Sequence, residues 1–278
     1  MRRAFIAGML LFACIVIDAA RAAAYDDYAR GLAANLQLDS DTALSTFTAA
    51  LAAGDLVPSL KPNAYYGRGL ANIRKENCAA ARTDAAAALV LKPDYESARF
   101  LRAGANECLG EFALALAEHT ELIAAKPTAG SYSVRGGLRW HMGDFAGAAA
   151  DFAQVVQLAP KYSYGVIRMA LAQMRAGAVD TALIKRAMSP LDDVGWPGPV
   201  LLLISGKSTP EAVAAAAARG EGEAVIGQKC EADFYTAEWW LGRGDVASAR
   251  PLLHRAVANC PHQFIEFREA RIELERLH

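Results

Sequence analysis

Three prolines stand at nearly constant steps along the middle of this chain: Pro93, Pro127 and Pro160, 34 and 33 residues apart. Each closes an apolar stretch with helical spacing, and proline stops a helix because its ring clashes with the preceding turn and it lacks an N–H. Glycines keep the same beat at Gly110, Gly143, Gly177 and Gly244, and five residues after each comes Ala115, Ala148, Ala182 or Ala249. In an earlier unit Glu76 takes the glycine slot and Ala81 follows it. A unit of this length cannot bury its own apolar face. Neighbours must stack into a continuous core, and at least about three units are needed. Composition agrees: 54% of the 278 residues are hydrophobic but only 8% aromatic, with alanine supplying most of the difference. Alanine favours helix and is depleted in strands.

Within a unit each signal has a cause. The glycine can adopt the left-handed conformation that ends a first helix. Asp144 and Asp245 follow directly, placed to cap the second. The stretch at 62–95 reads PNAYYGRGLANIRKENCAAARTDAAAALVLKPDY, and that at 129–162 reads AGSYSVRGGLRWHMGDFAGAAADFAQVVQLAPKY. These resemble the tetratricopeptide repeat, a helix–turn–helix unit. Its small residue at position 8 corresponds to Gly69, Ala103, Gly136 and Ala170. Position 20 corresponds to Ala81, Ala115, Ala148 and Ala182, and position 32 to the three prolines. The resemblance implies an all-α fold, a right-handed superhelical solenoid of antiparallel helix pairs, with helices A and B crossing closely at positions 8 and 20.

The ends are less regular. Tyr25 to Leu56 reads as an atypical first repeat, with Gly31, Ala43 and Phe47 in register and a long following loop from Gly54 to Pro62. A fifth pair covers Tyr164–Ala176 and Asp180–Met188. Regularity breaks at Ser189-Pro190 and at the segment Gly195-Trp196-Pro197-Gly198-Pro199. Short helices are expected at Val200–Ser205 and Pro210–Arg219, and repeat character resumes over Cys230–Pro261. A last helix, Gln263–Leu277, offers Phe264, Phe267, Ile272 and Leu274 to cover the exposed end of the array. The expected organisation is therefore a signal over 1–24, a repeat array over 25–188, an irregular helical insertion over 189–229, and a final repeat with capping helix over 230–278.

The start reads as an export signal. Arg2 and Arg3 precede an uncharged apolar run from Ala4 to Ile17, too short to span a bilayer, and Ala22 and Ala24 fit a small-residue cleavage site. Leu11-Phe12-Ala13-Cys14 loosely resembles a lipobox, but Phe12 is bulky and the residues after Cys14 stay apolar. A soluble periplasmic or secreted chain is expected, with a lipid anchor at Cys14 as the alternative. Beyond Cys14 there are four cysteines, Cys78, Cys108, Cys230 and Cys260, and the number alone allows three connectivities. Repeat register selects one. Cys230 opens helix A and Cys260 closes helix B of one antiparallel pair. Cys78 opens helix B of one repeat and Cys108 closes helix A of the next, and those helices also pack antiparallel in this family. The expected disulfides are Cys78–Cys108 and Cys230–Cys260.

Nothing in the sequence reads as catalytic. His119, His141, His254, His262 and His278 are scattered, and no HExxH, nucleophile elbow, phosphate loop or CxxC occurs. Cys260-Pro261-His262 is not a zinc spacing, Asp192-Asp193 suits a turn, and Met169 and Met174 sit at core spacing. No cofactor and no metal are expected. The balance of 29 basic and 30 acidic residues carries no nucleic-acid footprint. Apolar content excludes a disordered chain, and the 22 Gly and 11 Pro lack a collagen triplet.

Function is then expected on the concave surface, where the family uses helix A positions. Here these give Asn63, Tyr66, Arg74, Phe100, Glu107, Trp140, His141, Tyr164, Met174 and Arg175. Aromatic and Arg anchors are common in binding hot spots. The lysine-rich clamp for acidic C-terminal peptides is absent. The stretch over 190–277, with VGWPGPVLLLISGKSTPEAV and FYTAEWWLGRGDVASARPLLHRAVANCPHQFIEF, resembles the C-terminal part of the new-lipoprotein-I family of bacterial envelope repeat lipoproteins. That resemblance implies a dimeric adaptor bringing envelope proteases and murein hydrolases together. The expected function is a non-catalytic scaffold with protein or peptide partners. The alternative is a small-ligand carrier or enzyme with a site near Trp140, His141 and Tyr164, which a deep pocket with perturbed titratable groups would favour.

Overall fold

A computed structural model of the protein describes residues 21–191, 195–219 and 221–277. The expected export signal up to residue 20, with Cys14, and the expected turn at Asp192-Asp193 lie outside the described residues. All regular structure among the described residues is helical, as the repeat pattern requires. No described helix is long and apolar enough to cross a membrane.

The chain divides into two compact units, Met1–Leu122 and Ile123–His278. Unit one holds α1 (residues 21–36), α2 (Ser40–Ala52), a 3-10 turn (Pro58–Leu60), α3 (Lys61–Arg74), α4 (Cys78–Leu91), α5 (Glu96–Cys108) and most of α6 (Phe112–Ala125). Unit two continues with α7 (Ala129–His141), α8 (Phe145–Leu158), α9 (Ser163–Arg175), α10 (Thr181–Met188) and a 3-10 turn (Ser189–Leu191). Then come α11 (Gly198–Ile204), α12 (Pro210–Ala217), α13 (Glu223–Leu241), α14 (Val246–Asn259) and α15 (Ile265–Arg276). Within the units successive helices pack on one another, α3 on α4, α4 on α5, α7 on α8, α8 on α9 and α13 on α14.

Small residues let the paired helices approach. Ala81, Ala103, Ala115, Ala148 and Ala170 are fully buried. A Cβ on Gly136 would lie 3.0 Å from the Phe152 ring, and one on Gly69 would lie 3.3 Å from the Asp84 Cβ. Ala182 departs from this rule. It is exposed, because α10 is only eight residues long and turns Ile184 and Ala187 inward instead. Each close pair in the first three regular repeats also carries a charge tie across sixteen residues: Arg68 to Asp84, Arg102 to Glu118, and Arg135 to Asp151. The first and third are bidentate, with Nη2–Oδ1 distances of 2.6 Å in both, and Asn72 and Arg139 donate further bonds to the same carboxylates.

The turns inside the pairs share one geometry. Gly110, Gly143, Gly177 and Gly244 lie at φ of 76°, 79°, 66° and 77°. The N–H that follows each returns to the carbonyl five residues back, as in Asp144 to Arg139 (2.9 Å) and Asp245 to Trp240 (3.0 Å). Glu76 holds the same left-handed position at φ 59° despite its side chain. Asp144 and Asp245 cap α8 and α14 through the N–H groups of Gly147 and Ser248, both at 2.9 Å. Asp39 and Asp180 do the same for α2 and α10.

Both disulfides join the expected partners. Cα separations are 5.9 Å for Cys78–Cys108 and 4.9 Å for Cys230–Cys260. Such bridges persist in oxidising compartments.

Unit two differs from the sequence reading in two ways. First, α13 begins at Glu223, seven residues before Cys230, and runs for 19 residues. It lies alongside α9: Tyr164 meets Glu231 sixty-seven residues on, and Met174 meets Gly242. The segment between them, with α11 and α12, buries Val200, Leu203, Val213 and Ala217 in the same core. Second, α15 was expected to cap the array with apolar residues. It packs Phe264, Phe267 and Leu274 against the core and also buries Glu266, Glu269, Ala270 and Glu273, with Glu269 and Glu273 meeting α9 about a hundred residues back.

Left-handed backbone costs a non-glycine residue roughly 1–2 kcal/mol. Gly244→Ala, where an added Cβ meets no atom within 4 Å, is therefore expected to lower stability in urea by about 1 kcal/mol. Glu76→Gly is expected to raise it by up to about 1 kcal/mol, the backbone relief outweighing the entropy of glycine. Circular dichroism in urea checks both signs.

Candidate functional site

The inner face of unit two is built from α7, α9 and α13, and α15 lies on it. Arg168 and Arg175 project from α9, seven residues and thus two turns apart on one stripe. Arg168 pairs with Glu269, and Arg175 pairs with both Glu238 of α13 and Glu273 of α15 (3.0 Å to the latter). His141, at the end of α7, places Nε2 3.5 Å from the Glu269 carboxylate. Arg276 pairs with Glu273, and its Nη2 donates to the carbonyls of Trp140 (3.1 Å) and His141 (3.0 Å). Those carbonyls stand at the negative end of the α7 dipole, that of Trp140 also accepting the Gly143 N–H at 2.9 Å, so a cation there is well placed. Tyr235 donates to Glu266 at 2.8 Å. The guanidinium groups also lie over rings, Arg168 over Phe152 (5.0 Å) and Arg175 over Phe145 (4.2 Å).

These groups are out of water. The side chains of Glu238 and Glu273 are wholly buried, those of Glu269 and His141 are 3% exposed, and that of Arg175 is 9% exposed. Burial and the Glu273 carboxylate push the Glu238 carboxyl up to about 8, against the pull of Arg175. Burial acts to raise Glu269 too, but Arg168 and His141 together hold it down at about 2. Burial raises Glu266 and, with Glu266 beside it, Tyr235. Burial opposes the charge of Arg168 and Arg175, yet their carboxylate partners keep both above the ordinary guanidinium value.

A second tie sits at the edge of this face. Tyr164 Oη and Trp196 Nε1 both donate to Glu231 Oε2 at 2.7 Å. The Gly-Trp-Pro segment thereby reaches α13. Burial and the Glu231 carboxylate raise the Tyr164 phenol.

The residues expected to line a groove thus fall into two groups. Trp140, His141 and Arg175 are enclosed beneath α15, Tyr164 is bonded to Glu231, and half-buried Met174 packs against Gly242. In unit one the corresponding side chains stay accessible. Asn63 and Tyr66 on α3 and Phe100 and Glu107 on α5 are half-buried, and Arg74 is exposed. Tyr66 lies tilted against Tyr95 with ring centroids 5.3 Å apart, Phe100 lies 5.9 Å from His119, and Arg74 donates to Asn35 Oδ1 at 2.8 Å. The space before Trp140 and His141, where a small ligand was the alternative, is filled by α15. A cavity of about 990 Å3 lies elsewhere, between α9, α10 and α11, with a mainly apolar described lining that includes Ile184, Met188 and Leu201. Among the described residues no group of three His, Cys, Asp or Glu is arranged to hold a metal.

The buried acids of α15 escaped the sequence reading. Glu266, Glu269 and Glu273 recur at i, i+3 and i+7, which places three carboxylates on one helix face. That spacing is visible in the sequence beside the apolar residues that suggested a cap.

No family model matches the chain, and no curated protein matches its sequence. Solved structures do match. A tetratricopeptide repeat protein from Parabacteroides merdae aligns with a TM-score of 0.59 at 15% identity, over 91% of this chain and 99% of that one. The apo form of RapI aligns with a TM-score of 0.65 at 12% identity, over 91% and 76%. The Rap conjugation gene regulator of the plasmid pLS20, solved with the Phr* peptide, gives a TM-score of 0.50 at 14% identity, over 91% and 75%. At these identities the shared property is the fold, an all-α helical-repeat solenoid of tetratricopeptide type.

The two buried carboxyls titrate with opposite signs. Glu238, raised from an ordinary 4.5 to about 8, supports the folded state fully below pH 4.5 and loses that contribution as pH rises through 8. Glu269, lowered from 4.5 to about 2, contributes above pH 4.5 and loses its contribution as pH falls through 2. All four tryptophans, Trp140, Trp196, Trp239 and Trp240, lie in unit two, so their fluorescence reports on it alone. Glu238→Gln is expected to flatten a decline in the fluorescence melting temperature between pH 5 and 8. Glu269→Gln is expected to lower the melting temperature at pH 7 and leave it unchanged near pH 2.

Proposed function

We propose that this protein is a non-catalytic adaptor that binds a protein or peptide segment along the helix A face of unit one. The observation that carries the reading is the contrast between the two units. In unit two α15 covers Trp140, His141 and Arg175, whereas in unit one Asn63, Tyr66, Phe100 and Glu107 are half-buried and Arg74 is exposed. Tyr66 and Arg74 lie on one stripe of α3, and Phe100 and Glu107 on one stripe of α5. This is the mixture of aromatic anchors and flanking charge found at binding hot spots. The fold shared with a Rap regulator solved in a peptide complex supports it.

The same proposal places the protein in the periplasm or outside the cell, delivered by the signal over 1–24. The two disulfides support an oxidising compartment. The resemblance of residues 190–277 to new-lipoprotein-I proteins extends it further, to a homodimeric envelope adaptor for proteases or murein hydrolases. Cys14 offers a lipid anchor as the alternative to a soluble form.

Crosslinking mass spectrometry in native cells tests the reading. Partner crosslinks are expected to concentrate on residues 63–107. Tyr66→Ala combined with Phe100→Ala is expected to reduce partner capture at least tenfold with the helical far-UV circular dichroism melting transition of the chain unchanged. Undiminished capture by that variant would contradict the proposal.

A further inference from the structure

An end cap needs only to cover the last helix pair, and α15 does more than that. It packs on α14 and α13, and then reaches α9 through Arg168 and Arg175 and α7 through His141 and the Trp140 carbonyl. In a solenoid each repeat ordinarily touches only its neighbours. Residues 98 and 101 positions apart are here joined by charge pairs along the inner row. We propose that the inner face of unit two is a receptor for acidic amphipathic helices, with α15 as a resident occupant that a partner helix displaces.

The chemistry of the occupant is written in the contacts. It needs carboxylates at i, i+3 and i+7 to meet Tyr235, Arg168 with His141, and Arg175. It needs a cation three residues after the last of these, where Arg276 meets the carbonyls ending α7. Phe267 and Leu274 add apolar contact. Three features favour exchange over permanent burial. Docking takes several full charges out of water, and that penalty offsets most of the attraction, so the net hold is weaker than an apolar cap of equal area would give. The fit is incomplete, because Glu238 Oε1 and Trp140 Nε1 are buried without a hydrogen-bond partner among the described residues. Finally, the Cys230–Cys260 bridge fastens the end of α14 five residues before α15 begins, so release of α15 leaves the last helix pair clamped. The inference is independent of the unit-one face.

The probe is a fluorescein-labelled peptide of residues 263–277, titrated into the full chain. A control peptide carries Gln in place of Glu266, Glu269 and Glu273. In the variant Glu269→Gln/Glu273→Gln the resident helix is weakened. The native-sequence peptide is then expected to bind at least tenfold more tightly to the variant than to the unaltered chain. The control peptide is expected to bind that variant at least tenfold more weakly. Equal affinity of the native peptide for both chains, or equal binding of the two peptides, overturns the proposal. Should the variant fail to fold, amide hydrogen exchange on the unaltered chain decides. Excess native peptide is expected to speed exchange of α15 at least tenfold while α9 and α13 keep their protection. Exchange of α15 in step with α9, with or without peptide, overturns it.

Discussion

A helix pair can stack into an array only if its two members cross closely enough to present one continuous surface to the next pair. Here that closeness rests on residues with little or no side chain at the crossing, such as Gly136 against Phe152 and Gly69 against Asp84. Everything else follows from it. The pair is too thin to form a core alone, so burial comes from neighbours, and the core runs along the chain as alternating alanines and single large rings. The tie from Arg to Asp or Glu across sixteen residues sits beside the crossing. It fixes the register of one helix against the other, which apolar contact between small side chains specifies poorly.

The same thinness leaves the inner row of A helices without cover. Unit two covers it with α15, and the manner of covering matters. An apolar helix would fuse with the core beneath. An acidic one meets Arg168 and Arg175, two cations on the same stripe of α9, and the imidazole of His141 on α7. Attraction and desolvation are both large and nearly cancel, so geometry rather than net energy is what the ionic face supplies. The opposite displacements of Glu238 and Glu269 are the signature of that balance. One carboxyl has a single cation shared with a neighbouring acid, and the other has two cations to itself.

Much of this was legible in the sequence, and for local reasons. The period fixes the turns, since the glycine, its following Asp and the closing proline each act within one helix end. The disulfide partners follow from register, because equal spacing in an antiparallel pair brings the helix ends together. What stayed hidden depends on distance along the chain. The acidic face of α15 has its partners about a hundred residues back, and Trp196 finds Glu231 only because α13 takes the place beside α9. Phe264, Phe267, Ile272 and Leu274 on the same helix suggested an end cap, although the carboxylates share its sequence. The ties at Arg68–Asp84, Arg102–Glu118 and Arg135–Asp151 also recur with the period. Attention to small residues alone passes over them. Ala182 shows the converse, a residue in register that the short α10 leaves in solvent.

The central claim is that α15 docks on the inner row of unit two through its carboxylates. A double-mutant cycle across residues 168 and 269 tests it most directly, using Arg168→Met, Glu269→Gln and the pair together. Unfolding in urea followed by tryptophan fluorescence reads unit two. Docking through this contact predicts a coupling energy of about 2 kcal/mol, within the range of groups in one buried charge network. Additive effects, with coupling below about 0.3 kcal/mol, would contradict it.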